Sequence, residues 1–419
     1  MIEALRSQFN GRFTAEAYAS LVRGLEESCG TQLGFRVAET PVFLSRKMLD
    51  GMAAEGATLL ASVLDDKATL DAARAAIPAG YCVAGETAHP HFLTADFALV
   101  RAAGGVLEPR LVEIQAFPSV FGFQSELCNA YRGAYRLPAE LECYSGGMSE
   151  VAYWELLRQT IVGGHDPENV VLTEVDPMHQ KTLPDFWVTA RQLGIAIVDI
   201  TTVEPEGDKL FYRDSAGRRV PIHRIYNRAI VDELMAKQVS LQFDLERAWD
   251  VEWAGHPNWY FLVSKFSIPA LARRHRVVPP AVFLDDFLAG PGRAWLEEAG
   301  VALPKPASAE TVYTELLLKP LFSFAGKGIE FEPTQTRLEA IPAAERRGYL
   351  LQQRMRFEPT IATPFGPTQA EIRILYAWPD GGALTPAMSL VRLGRGKMMG
   401  VDHNRNQEWV GASAAFVAK

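Results

Sequence analysis

Between residues 169 and 201 the chain reads NVVLTEVD, then an amphipathic run over Leu183–Leu193 closed by Gly194, then IAIVDIT. Short β-branched runs flank a helical period, and the glycine stands where a left-handed helix cap is needed. This strand–helix–strand pattern is the repeat unit of a doubly wound sheet. It predicts an α/β lobe over 166–235, with ligands expected at the carboxyl ends of its strands.

The flanking stretches read differently. Residues 1–75 carry helical spacing in Tyr18–Leu25 and Met52–Leu64. Residues 92–116 read as a hairpin, FLTADFALV and RLVEIQAF joined around Gly104 and Gly105. Residues 117–165 hold glycine breaks and one helix near Val151–Ile161. FYRDSAGRRV reads as a hairpin, 231–300 as mostly helical, 303–310 as a linker, and the chain after 314 as strand-rich. The predicted class is α/β (α+β), in three parts: 1–165, 166–235 and 236–419.

The chain has 419 residues, which suggests two or three domains or lobes. Its 48% hydrophobic and 22% charged residues suit a globular protein. The net charge of −8 argues against nucleic acid as a partner, which needs a basic face. Cys29, Cys82, Cys128 and Cys143 have no CxxC or zinc-like spacing. They read as reduced thiols of a cytoplasmic protein. The start lacks a secretory apolar segment, and no run reaches the ~18 apolar residues of a membrane span, so no membrane partner is expected. Monomer and homo-oligomer both stay open.

Four constellations carry chemistry. In LLLKPLFSFAGKGIEF a strand delivers Lys319, and Ser323, Ala325, Gly326, Lys327 and Gly328 follow in a loop. Small residues let backbone N–H groups approach phosphate oxygens, and lysine adds charge; an ordinary glycine-rich hairpin is the alternative. In GYLLQQRM an apolar strand ends in Gln352, Gln353 and Arg354, suited to an adenine edge or to a core strand with a polar end. In the hairpin of 92–116, period two puts Glu113 and Gln115 on one face with Asp96 opposite, while Val112, Ile114 and Ala116 fill the other. Three oxygen ligands there suit Mg²⁺; a solvated polar face is the alternative. In SLVRLGRGK, the cations Arg392, Arg395 and Lys397 suit the charge of a transferred phosphoryl group, or form a solvated basic stretch.

An early lysine (Lys265), a KP strand, a glycine loop, an LLQQ hinge, an ExR strand and a DF…ExN-like hairpin together resemble the ATP-grasp fold. The DF…EIQ hairpin comes first here, so the chain resembles a circularly permuted ATP-grasp of the eukaryotic glutathione synthetase type, with an inserted α/β substrate lobe. VEIQAFPSVFGF at 112–123 is similar to the IEINTISASFGG of that family. DPMHQKTLPDFWVTARQLGIAIVDI is similar to its substrate-domain segment, and Arg395-Gly-Lys397 followed by WVGAS to its RTK and glycine loop. The departures are Gln115 for the Asn of ExN, a serine near the place of a metal-binding Glu in the glycine loop, and a reduced glycine triplet.

The resemblance implies an ATP- and Mg²⁺-dependent carboxylate–amine ligase acting through an acylphosphate on small-molecule carboxylate and amine substrates. It implies that Lys265 and Lys319 hold phosphates, Gln352 to Arg354 line the adenine pocket, and Glu371 bonds the ribose. Asp96, Glu113 and Gln115 would hold Mg²⁺, and Arg395 and Lys397 would neutralise the acylphosphate. Gln180, Arg224, Asn227 and Arg228 would face the substrate. An ATP-grasp kinase and a non-catalytic nucleotide-binding protein are the competing readings.

Overall fold

A computed structural model describes residues 2–102, 104–305, 308, 310–323, 326–400 and 406–418. Its centre is a seven-stranded sheet built from both ends of the chain. The strands run in the order Val42–Leu44, Gly411–Ala418, Thr385–Gly394, Gln369–Ala377, Phe92–Arg101, Leu107–Gln115, with Leu141–Glu142 paired to Gly411–Ala418. All pairings are antiparallel except that of Val42–Leu44.

The two faces of this sheet separate by period two. Ala370, Ile372, Ile374 and Tyr376 point to a core shared with Leu49, Met52, Leu59 and Leu60 of the helix Arg46–Asp65. That helix starts at Ser45, whose side chain accepts from the Met48 N–H. Gly56 lies so close to the sheet that a Cβ would come within 2.2 Å of the Tyr376 hydroxyl. On the opposite face Leu375, Ala377 and Met388 pack with Phe121, Phe123 and Leu127 of the helix Phe121–Tyr135. Glu371, Arg373, Leu390 and Arg392 continue that same face past the helix, where it opens.

A second sheet is parallel, in the order Glu252–Ala254, Arg224–Asn227, Val170–Glu174, Ala196–Asp199, with the helix Leu183–Leu193 between two of its strands. Gly194 ends that helix in the left-handed region (φ 75°). The lobe extends past the expected boundary at 235, because Glu252–Ala254 pairs with Arg224–Asn227. A third sheet is antiparallel, in the order Ala281–Phe283, Tyr349–Gln353, Leu316–Pro320, Glu330–Phe331.

The structure departs from the sequence reading in three places. The strand Val42–Leu44 interrupts the helical residues 1–75. Residues 117–165 contain a second helix, Phe121–Tyr135, whose first turn FGFQ carries two aromatic residues with weak helix propensity. Tertiary contacts hold that turn: the Gln124 amide donates to Ser389 O and Ser413 O on the sheet. Residues 231–300 are short helices separated by loops and by Glu252–Ala254 and Ala281–Phe283. All four cysteines are free thiols. No helix among the described residues is long and apolar enough to cross a membrane.

Candidate functional site

The central sheet, the antiparallel sheet of 281–353 and the carboxyl ends of the parallel strands enclose a cavity of about 1580 Å³. Typical small-molecule sites hold roughly 300–1,000 Å³, so this one has room for more than one ligand. Of the residues singled out in sequence, it is lined by Glu113, Gln115, Gln180, Arg228, Lys319, Ser323, Gly326, Lys327, Gly328, Arg354, Glu371, Arg392, Arg395 and Lys397. Ala325 and residues 401–405 lie outside the described residues.

On the antiparallel sheet, Lys319 is 5% exposed. Its ammonium donates to Gln352 Oε1 at 2.6 Å. Burial lowers its pKa to about 8, with Glu113 across the cavity opposing that shift and Lys265 adding to it. Lys265 is buried, and its ammonium donates to Ser323 O at 2.5 Å, so it pins the start of the glycine loop. Gly326 and Gly328 have φ of 72° and 77°, a region that side-chain-bearing residues avoid. The side chain of Gln352 is buried behind Lys319 and points its oxygen at that ammonium. The next residue but one, Arg354, reaches the cavity, pairs with Glu332 and lies over the Phe331 ring (5.6 Å). Lys397 lies 5.7 Å from the same ring. Arg395 donates to Glu408 O and Thr363 Oγ1.

On the central sheet the register brings Asp96 beside both Glu113 and Arg373, and Glu371 beside Arg392. A β-bulge at Val112 breaks strict alternation: Leu111 and Ile114 are buried, while Val112 and Glu113 both reach the cavity. Asp96 does not reach it. Arg373 grips both its oxygens at 2.6 Å, and Arg392 Nη1 adds a contact at 3.1 Å. Burial pushes the Asp96 pKa up, but the two guanidiniums outweigh it and leave the carboxyl below its ordinary value. Arg392 also pairs with Glu371, whose pKa burial raises. Arg373 Nη2 reaches Glu113 at 3.3 Å. The period-two signal for Arg373 was present, since it stands two residues from Glu371 on the same strand face.

At the lobe end, Arg228 is held by Asp185 and by Ser119 O. Asp185 is itself 1% exposed and accepts from the Phe123 N–H, so this pair joins the lobe helix to the helix Phe121–Tyr135. Gln180 donates to Val175 O and Glu233. Glu174, Glu233 and Lys237 are among the lining residues that were not foreseen. Burial lifts the Glu174 pKa to about 8. Asn227 is buried and closes a local turn with Ala229. Arg224 sits at the amino end of its strand, away from this cavity. It lines a separate one of about 570 Å³ and pairs with Glu252 and Asp380. Strand direction explains the split, because Arg224 and Arg228 mark opposite ends of one strand.

No family model matches this chain, and no curated protein matches its sequence. Its structure is similar to that of a glutathione synthetase-like effector from Globodera pallida in the apo form, with a TM-score of 0.56. The likeness covers 99% of this chain and 97% of the other at 11% identity. The two share a fold. At this identity the likeness speaks for architecture alone.

Proposed function

We propose that the chain is a circularly permuted ATP-grasp protein and that its large cavity binds ATP for carboxylate–amine ligation. One observation carries the reading. Lys319 on one antiparallel sheet and Glu113 on the other, from opposite parts of the sequence, face the same cavity as the glycine loop and interact electrostatically. A triphosphate of about four negative charges needs such a convergence of cations and loop N–H groups.

In this reading Lys319, Lys327 and the loop at Gly326 and Gly328 bind phosphates, with Lys265 fixing the loop's entry. The aromatic Phe331 and the strand end at Arg354 accommodate the base. Arg395 and Lys397 offset charge on the transferred phosphoryl group. Glu113 and Gln115 fit one Mg²⁺, since both line the cavity, each carries a side-chain oxygen, and Mg²⁺ keeps several waters. Asp96 does not fit as a ligand, because both its oxygens already accept from guanidinium groups. When bound, the ion would supply charge neutralisation at the β- and γ-oxygens. A substrate carboxylate takes the γ-phosphoryl group, releasing ADP, and an amine then displaces phosphate to form the amide. The lobe end, with Gln180, Glu174, Glu233 and Arg228, is the place for those substrates.

The arginine pairing of Asp96 and Glu371 favours a second reading, a nucleotide-binding protein of this fold without turnover. Calorimetric titration with a non-hydrolysable ATP analogue and Mg²⁺ tests the shared part. Amine-dependent ADP release tests the ligase. Binding without turnover on any carboxylate–amine pair leaves the second reading, ADP release without an amine points to a kinase, and no binding at millimolar ligand sinks all three.

A further inference from the structure

Asp96, Glu113 and Glu371 come from three neighbouring strands, and two arginines, Arg373 and Arg392, are threaded between them. Both oxygens of Asp96 are taken by Arg373, and Glu371 is paired with Arg392. Glu113 is held more loosely: its side chain is 30% exposed and meets Arg373 Nη2 at 3.3 Å. Among the described residues no group of three or more acidic, histidine or cysteine side chains is arranged to hold a metal ion. Arginine cannot shed its proton in a protein, so its charge stays in the sheet whatever binds.

We propose that Arg373 is a built-in counter-cation lying between Asp96 and Glu113, which limits the polyphosphate end of the cavity to a single divalent ion, bound through Glu113 with Gln115. The physical argument is one of competition. A hard divalent cation needs several carboxylate or carbonyl oxygens, and a guanidinium that already grips a carboxylate in a forked pair withdraws those oxygens from it. A second ion near Asp96 would also sit against a fixed positive charge. Arg373 is then a positioning residue: it sets how readily Glu113 turns to a metal, and touches no reacting atom itself. Ser119 Oγ, which accepts from Arg373 Nη1 at 3.3 Å, helps fix the guanidinium plane.

The nucleotide arm of this proposal rests on the ATP reading, and the metal-alone arm does not. The test is Mn²⁺ titration of the full chain followed by electron paramagnetic resonance, with Mn²⁺ alone and with a non-hydrolysable ATP analogue. The wild-type protein is expected to take one Mn²⁺ in either arm. Arg373→Gln is expected to bind Mn²⁺ alone roughly fivefold more tightly, the factor for losing about one competing, partly exposed ion pair, and to take a second ion with nucleotide. Arg373→Lys should retain single-ion loading. Should Arg373→Gln fail to fold, the double variant Asp96→Asn/Arg373→Gln leaves no uncompensated carboxylate in that pair and should show the same tightening. Two ions in the wild-type protein, or Mn²⁺ affinity unchanged on removing Arg373, overturns the proposal. Absence of nucleotide binding with the metal-alone shift intact overturns the ATP reading instead.

Discussion

Replacing Lys319 by methionine keeps the aliphatic stem and removes the ammonium. In the structure this ammonium is buried, with a neutral amide as its hydrogen-bond partner, and its pKa falls from 10.5 to about 8. At 1.36 kcal/mol per pH unit, that drop means the charged lysine costs the folded state about 3 kcal/mol below pH 8. The sign follows from proton counts. Between pH 8 and 10.5 the unfolded chain binds more protons at this site than the folded one, so the cost fades as pH rises and is gone above 10.5. Lys319→Met is therefore expected to raise the melting temperature by a few °C at pH 7 and by nothing at pH 10.5. The same variant should lose nucleotide affinity, because a triphosphate would pair its negative charge with the buried Lys319 ammonium. Binding to the wild-type protein at pH 8–9 should take up protons, seen as a buffer-dependent enthalpy in calorimetry. A variant that melts lower than wild type at pH 7, with unchanged nucleotide affinity, would refute the reasoning: Lys319 would then be a structural ion-pair partner.

Glu174→Gln tests the opposite sign: the raised folded pKa, about 8, makes the wild-type protein lose stability as pH climbs from 4.5 to 8, so the variant should melt higher at pH 8 and equally at pH 4.5 in scanning calorimetry. Glu113→Ala should abolish amine-dependent ADP release and leave the circular dichroism spectrum and melting temperature nearly unchanged, since its carboxylate is part-exposed in the cavity. Arg224→Ala should cost about 1–3 kcal/mol in denaturant unfolding by stranding its backbone partners Ile161 O and Thr160 O, without changing nucleotide affinity. Asp185→Asn should be more costly, about 3–5 kcal/mol, because it leaves the Arg228 guanidinium buried without its carboxylate.

Elements with a strong local period were legible. The strand–helix–strand unit ending at Gly194, the hairpin Phe92–Gln115 and the helix Arg46–Asp65 all follow from spacing and caps that lie within a few residues of one another. The helix Phe121–Tyr135 was not, because its first turn is held by contacts with strands near residues 389 and 413. The bulge at Val112 was hidden for a similar reason: it exists only between paired strands.

The sequence by itself determined the alternation of residue types along each strand, except at the bulge of Val112, and so marked Glu113, Gln115, Lys319, Arg392 and the glycine loop as candidates for a polar site. Only the tertiary structure decided which of the charges are available to a ligand. Asp96 and Arg373 are 277 residues apart and meet because two distant strands pair in register; Arg224 begins one strand, Arg228 follows its carboxyl end, and the two open onto different cavities. Side-chain direction is a local property, fixed by a period of two wherever no bulge interrupts the ladder. The partner of a buried charge is a non-local one, fixed by strand order and register, and burial makes that partner decide whether the charge binds a ligand or holds the wall together.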